Sequence, residues 1–552
     1  MACLFSRLVT GSFVAALLAL PLAAGAATIT VTETADSYSG SGCSLRNAIQ
    51  AVNLGSDFAG CVAVGAYNNA DTINLTATQP YVLDIGGPNE DNNQTGDLDI
   101  AGSVNIVGLG SGQTTITTSG MTGKGADRVL HVTQISAGDN PITVNLQGLT
   151  IRDGDSSESG DGGGILVDIP DVTLNLTDVT VTENESEEDA GGIAFYSSGG
   201  QMTLTDSRVA SNTAPYSAGG IYNSRSSLTT LVNSTIDGNS SSFEGGGIVN
   251  RNLLVVVSST ISRNITRFTL DGDYGRGGGI YNSGGMALIN STISGNTARL
   301  DGGGIYSVDS RRDSGERLYD VQALLFNVTI ADNTAEVGFG GGVCNDCEIQ
   351  PQGSQGLEFR VANTLIAQNT ADSGRPDCGG QDPFISGGYN LIGDDTDCNG
   401  FTATGDQTDV AAGIGALQNN GGPTETHALL TGSLAIDTAN DVEGCQTPVL
   451  EDLFNNTLTL QPMTEDQRGL TRPVAVLDPA AAICDIGAYE LQIEEPTPTP
   501  TPVPPPGPQL LEGSGISCSL SLGGSSAGAA SLFLFGAVAL VAVWRGFGLN
   551  RK

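Results

Sequence analysis

The sequence predicts an all-β protein: a right-handed parallel β-helix, a solenoid, with an N-terminal helical cap, followed by a Pro-rich linker and a single C-terminal transmembrane helix. Three observations predict it. A glycine pair followed by Ile or Val recurs at Gly163-Gly164-Ile165, Gly191-Gly192-Ile193, Gly219-Gly220-Ile221, Gly246-Gly247-Ile248, Gly278-Gly279-Ile280, Gly303-Gly304-Ile305 and Gly341-Gly342-Val343. Between these pairs an apolar-x-x-Asn phrase recurs, ending at Asn184, Asn212, Asn239, Asn264, Asn296, Asn333 and Asn369. The β-like segments are short, and no helix-length periodic run separates them, which argues against a doubly wound α/β fold. From Asn to the next glycine pair is 7 residues four times, 8 once and 14 once. A repeat period near 28 residues is the mark of a solenoid.

In chain order, residues 1–26 read as an export signal. Arg7 supplies the positive start, an apolar run covers 8–22, and Ala24-Gly25-Ala26 offers a small-residue cleavage site. Export makes the cysteines interpretable as disulfides. They fall into near neighbours: Cys43 with Cys61, Cys344 with Cys347, Cys378 with Cys398, and Cys445 with Cys484. Cys344-Asn-Asp-Cys347 has redox-motif spacing but lies beside a repeat glycine pair rather than in a βαβ unit, so a structural bond or thiol pair is the favoured reading.

Residues 27–148 form the cap and the early coils. After the alternating β pattern of 28–36, Ser44 is a ready N-cap, and Leu45, Ala48, Ile49 and Val52 share one helical face. One amphipathic helix there suits a cap over the first open coil. The phrase Cys43-Ser-Leu-Arg-Asn-Ala48 resembles the Cys-Ser-Leu-Arg-Glu-Ala motif at the start of exported bacterial β-helix proteins, with Asn47 in place of its Glu.

The regular repeats span 149–371. Their glycines, among them Gly191, Gly192, Gly219, Gly220, Gly246, Gly247, Gly278 and Gly279, permit backbone angles or close approach at a tight corner. Ile and Val stack into interior columns. Asn212, Asn239, Asn264 and Asn296 are expected at one corner, where amides bond from coil to coil. Asn223, Asn250, Asn282 and Asn345 suggest a second such column. The repeat resembles the Gly-Gly-Ala/Ile and Phe-x-x-Asn repeats of polymorphic outer-membrane proteins and related β-helix adhesins, with Ile or Val in place of Phe. That resemblance implies the fold and an adhesin-like role. Excursions at 265–276 and 307–321 lengthen the spacing, and loops bulging from a solenoid are where binding sites usually lie.

Residues 372–495 carry Gly388-Tyr-Asn-Leu-Ile-Gly393, Asn420-Gly-Gly-Pro-Thr-Glu-Thr-His-Ala-Leu429, Ala435-Ile-Asp437, Asp466-Gln-Arg-Gly469 and Asp485-Ile-Gly-Ala-Tyr-Glu490. This order resembles the C-terminal domain of bacterial choice-of-anchor family Q proteins, which implies surface display. A stiff Pro-rich linker follows at 496–512. The tail 513–552 holds Cys518, an apolar stretch at 527–543 and the basic residues Arg545, Arg551 and Lys552. It resembles bacterial sorting tails, which implies a sorting protease as partner and places processing at Cys518. The alternative is an uncut membrane anchor.

Composition narrows the function. Residues 27–495 hold 59 acidic against 18 basic side chains, and the chain has only two lysines, Lys124 and Lys552. Such a surface repels nucleic acid and anionic lipid. Polysaccharide cleavage would need clustered carboxylates, with calcium and an Arg or Lys base for a lyase. The turn acids Asp153, Asp155, Asp161, Asp271 and Asp273 sit in Gly/Ser-rich segments where Asp bonds its own backbone. They are similar to calcium turns of β-roll repeats, yet the strict nonapeptide is missing, so calcium is the one ion weighed and no cofactor is expected. His131 and His427 read as structural. The sequence therefore favours an exported, membrane-tethered cell-surface protein that is non-enzymatic and either binding and adhesin-like or envelope-associated, with an extracellular glycan or a surface protein as the candidate partner. The alternative is a glycan-degrading β-helix enzyme, which three carboxylates, or an Arg near two, gathered on one exposed face would mark.

Overall fold

In Met202-Thr-Leu-Thr205 the side chains alternate, so Met202 and Leu204 turn inward and are fully buried while Thr203 and Thr205 stay partly exposed. The coils are built of such short strands, and each coil pairs in parallel with the next. The computed structural model describes residues 25–68, 70–134, 141–224, 226–267, 275–308, 321–347, 358–439, 446–448, 459–474, 476 and 482–492. All the described residues belong to one compact unit. Cys445, Cys518, Asp271, Asp273, the linker, the apolar stretch 527–543 and most of the signal lie outside the described residues. No helix among the described residues is long and apolar enough to cross a membrane.

The architecture is an all-β parallel β-helix. One column of strands runs through Val172–Thr182, Gln201–Thr205, Leu228–Val232, Leu253–Val257, Gly285–Ile289, Val321–Phe326 and Glu358–Ala362. A second runs through Arg208–Ala210, Thr235–Asp237, Thr260–Ser262, Thr292–Ser294, Thr329–Ala331 and Leu365–Ala367. The third, ten strands from Leu98–Ile100 to Cys378–Gly380, stacks Ile165, Ile193, Ile221, Ile248, Ile280, Ile305 and Val343 in register. All seven are fully buried. At about 1.5–3 kcal/mol for each buried side chain, such columns are the main driving force of the coil.

The corners explain the repeat. A Cβ on Gly220 would lie 2.5 Å from the carbonyl oxygen of Gly247, and one on Gly247 2.7 Å from that of Gly279. The pair is thus required by the closeness of the next coil, because its own φ angles are ordinary. The left-handed turn falls one residue earlier, at Ala190 (φ 58°), Ala218 (φ 59°), Gly245 (φ 57°) and Gly277 (φ 66°). Beside the corner, Asn184, Asn212, Asn239, Asn264, Asn296, Asn333 and Asn369 are buried and pass Nδ2–H to the next Oδ1 at 2.9–3.0 Å; Asp377 ends the ladder at 2.8 Å. A second, shorter ladder joins Asn223, Asn250, Asn282 and Ser307, while Asn345 donates to the carbonyl of Asp382.

At the N-terminal end, the helix Leu45–Leu54 is capped by Ser44, whose hydroxyl accepts from the Asn47 amide, and is closed by Gly55 in the left-handed region. A disulfide from Cys43 to Cys61 ties it down. Its polar side is buried as well. Arg46 pairs with Asp36 at 2.8 Å and donates to the carbonyls of Gly96 and Asp97, and Asn53 donates to that of Asp99. The helix therefore holds the segment 93–99 in place.

Beyond Gln407–Thr408 the chain leaves the coils and folds back along the outside of the first two columns. Ile414, Leu429, Ile436, Met463 and Ile486 pack on Ala287, Ile289, Leu324, Phe326 and Leu365. Gln467 bonds Thr292, Thr260 and Thr424, His427 meets Ser294 Oγ at 2.8 Å, and the Gly487 amide donates to Asn363. The motif acids and arginines converge in this strap: Arg468 on Asp466 at 2.6 Å and over the Tyr489 ring at 3.6 Å, and Arg472 on Glu490 at 3.2 Å. Disulfides also join Cys344 to Cys347 and Cys378 to Cys398, and Cys484 is disulfide-bonded.

Candidate functional site

The outward residue of each third-column strand sets what that face can do. In register they run Asp99, His131, Leu166, Ala194, Tyr222, Val249, Tyr281, Tyr306 and Cys344. With Tyr196 beside them, they make an aromatic ladder. Tyr196 meets Tyr222 edge-on at 5.3 Å, and Tyr281 stacks on Tyr306 at 5.4 Å. The Arg251 guanidinium lies between, 5.6 Å from the Tyr222 ring and 5.8 Å from that of Tyr281. It donates to the Tyr222 hydroxyl at 2.6 Å and to Glu244 at 2.7 Å. Arg276 covers Tyr306 at 5.5 Å.

Charge along this face is held in place. Asp161 accepts from the Tyr196 hydroxyl at 2.9 Å and from the Asp189 amide at 2.8 Å. Burial and neighbouring Asp161 lift the Asp189 carboxyl to about 6, against the amide of Ser217. Burial raises the Tyr281 hydroxyl and the Tyr222 hydroxyl too, so both phenols stay neutral. Tyr196, Tyr222 and Tyr281 are half-buried while Tyr306 is buried beneath Arg276, and half-buried, rigid rings with fixed polar groups at their edges are what a flat, hydroxyl-rich ligand needs.

At the N-terminal end of the same column the sequence brings together residues that reading along the chain does not connect. His131 Nδ1 lies 3.4 Å from Asp99 Oδ1 and 3.6 Å from Asp91 Oδ1, and its Nε2 lies 3.2 Å from Asp168 Oδ1. Burial opposes a charged imidazole here, but Asp168 and Asp99 outweigh it and lift its pKa to about 10. Burial likewise raises Asp99, against the pull of His131, while for Asp168 the histidine outweighs burial and lowers it. Asp97 is raised well above the carboxylate range by burial and by Asp127 and Asp99. Arg128 stands 3.1 Å from Asp97 and 3.9 Å from Asp127, but all three side chains are at most 5% exposed, out of reach of a polymer.

His131 was legible only as an isolated residue. The signal that places it is register: Leu98-Asp-Ile100 and Leu130-His-Val132 share an apolar-x-apolar frame, which sets Asp99 beside His131. The three described turn acids have other partners. Asp153 accepts from Thr117, Asp155 from the Ser157 amide, and Asp161 from Tyr196 and Asp189. His427 belongs to the strap, where burial lowers its pKa. Of the two long excursions, only residues 265–267, 275–276 and 307–308 and the backbone at 321 are described.

Comparison with known proteins adds one sequence match. Residues 290–308 fit the Chlamydia polymorphic membrane protein repeat. No curated protein sequence matches the chain significantly. Among solved structures, it is similar to pectate lyase Pel9A, with 11% identity over 76% of this chain and 88% of that one and a TM-score of 0.39. It is also similar to ORF18 of Geobacillus virus E2, with 13% identity, 65% and 61% coverage and a TM-score of 0.37. An alginate lyase from Paenibacillus sp. str. FPU-7 gives 11%, 61% and 91%, and 0.28. At these scores none of them bears on substrate or chemistry.

Proposed function

We propose that the chain is an exported, surface-displayed, right-handed β-helix that binds extracellular glycan without cleaving it. The observation that carries this reading is the row of half-buried rings of Tyr196, Tyr222 and Tyr281 with Arg251 held between the last two. Coils rising ~4.8 Å each offer rings at intervals along a chain-like ligand. The formal charge of −38 disfavours polyanions, so a neutral polysaccharide is the expected class. The fit of residues 290–308 to a membrane-protein repeat supports display outside the cell, and the tail with Cys518 and the apolar 527–543 supports tethering by retention or by sorting. Right-handed winding is the hand that parallel crossovers favour.

Affinity electrophoresis of the purified chain in gels containing neutral polysaccharides tests this. Retardation by at least one polymer, weakened about tenfold by Tyr222→Ala with Tyr281→Ala, is expected. Equal mobility in every polymer would remove the reading. A second reading, a polysaccharide-degrading enzyme, is favoured by the carboxylates around His131. New reducing ends or unsaturated products after incubation with any polysaccharide would establish it over the first.

A further inference from the structure

The pocket of side chains around His131 has an unmet need. His131 is 4% and Asp99 0% exposed, yet neither His131 Nδ1 nor Asp99 Oδ1 has a hydrogen-bond partner among the described residues. They face each other at 3.4 Å as a long ion pair. Buried polar atoms turned toward one point are costly unless positive charge lies between them, which the imidazole proton supplies in the ion-free protein and a metal ion displacing that proton would supply equally. Asp91 adds a third donor from the solvent side, its side chain 66% exposed, and the three ligand atoms all lie within 4.8 Å of one another.

We propose that Asp91, Asp99 and His131 bind a first-row divalent transition-metal ion of the zinc type. Four-coordinate zinc with bonds of about 2.0–2.1 Å sets its donors about 3.3–3.4 Å apart. The observed separations of 3.4 and 3.6 Å from Nδ1 are close to that shell. One imidazole nitrogen with two carboxylate oxygens is a borderline donor set. Calcium, which takes about six to eight oxygens, is served poorly. The open side at Asp91 leaves the fourth position to water.

Neighbouring residues are arranged as a metal-ligating histidine requires. Its far nitrogen, Nε2, faces Asp168 Oδ1 at 3.2 Å, the carboxylate that usually orients a ligating imidazole from behind. Asp99 is anchored by its other oxygen, Oδ2, which accepts from the Asn93 amide at 2.7 Å, so Oδ1 is left for the ion. Asn93 is itself tied to the cap helix through the Arg46 carbonyl at 2.8 Å. Glu90 accepts from the amides of Asn92, Gln94 and Thr95 and so shapes the turn that presents Asp91. Cap helix and site are thus one construction.

The test uses the full chain stripped with a chelator and dialysed against Zn²⁺ alone. One tightly held equivalent is expected, with a raised melting temperature. Asp91→Asn and His131→Gln should each abolish it, and Asp168→Asn should weaken it about 10–100-fold. Replacing zinc with Co²⁺ should give a visible absorption band of four-coordinate cobalt that Asp91→Asn removes. Because Asp91 is exposed, that variant keeps the fold even if His131→Gln does not. The proposal is overturned if the wild type holds no zinc, or if Asp91→Asn with native circular dichroism holds as much as the wild type, which would mean diffuse binding to the acidic surface.

Discussion

At the scale of single residues, the repeat separates two demands, room and backbone angle, between neighbouring positions. Gly220 has ordinary backbone angles but no room, since its missing Cβ would sit 2.5 Å from the Gly247 carbonyl oxygen. Ala218 has room but a left-handed φ of 59°. Gly220→Ala should therefore force neighbouring coils apart and cost about 2–4 kcal/mol, in the range of overpacked or strained cores. Ala218→Gly should change stability by less than about 1 kcal/mol, because relief of left-handed strain offsets the added chain entropy. Urea unfolding of both variants checks the pair. Equal losses would mean that dihedral strain, not closeness, selects the glycines. The amide ladder was readable from the Ile-x-x-Asn spacing alone, because a fixed position in each coil must stack. The partnership of Asp99 with His131 was not, because it requires knowing that residues 32 apart occupy the same rung.

At the scale of elements, the strap is held by a buried ionic cluster that titrates near neutrality. Burial pushes Glu490 up to about 7 and Asp485 to about 6, each against the pull of Arg472. Arg472 is itself lowered by burial, so desolvation outweighs pairing at this spot. For a carboxyl group raised in the folded state, the proton favours folding. Its contribution is complete below the ordinary glutamate range and is lost as pH rises toward about 7. Hydrogen exchange of the strap amides should therefore show protection falling by about 1–3 kcal/mol from pH 4.5 to 7. Glu490→Gln should flatten most of that slope. An unchanged slope in the variant would assign it to general repulsion among the surface acids. A clue to the strap was present in the strands it covers. Met202-Thr-Leu-Thr205 alternates apolar and polar residues, whereas Gly285–Ile289 is buried at every position. A near-continuous apolar run marks a strand covered on both faces.

At the scale of the whole molecule, a solenoid's stability is a sum of neighbouring contacts, so its ends decide where it frays. The cap closes one end with a helix, a buried Arg46–Asp36 pair and the Cys43–Cys61 disulfide, whose partners are 18 residues apart. The strap braces the coils from 253 to 367 from outside. Replacing Cys43 and Cys61 by Ser should cost about 2–4 kcal/mol, the loop-closure entropy of such a bridge. Exchange protection should disappear first in Asp71–Leu75 and Val104–Val107 and persist in Thr260–Ser262 and Thr292–Ser294. Uniform loss along the chain would show that the coils unfold as one unit instead.

The repeating phrase was enough to determine the coil, its interior columns and its amide ladder, because these depend on spacing along the chain and on side chains that meet their own equivalents one turn on. The signal, linker and tail expected at its ends rest on local composition alone and lie almost wholly outside the described residues. Only the tertiary structure decided where the strap lies, that the cap helix anchors the segment 93–99, and that Asp91, Asp99, His131 and Asp168 meet. The physical reason is the same in each case. These contacts join segments that do not repeat, and their partners are chosen by burial and charge in three dimensions rather than by a period in one.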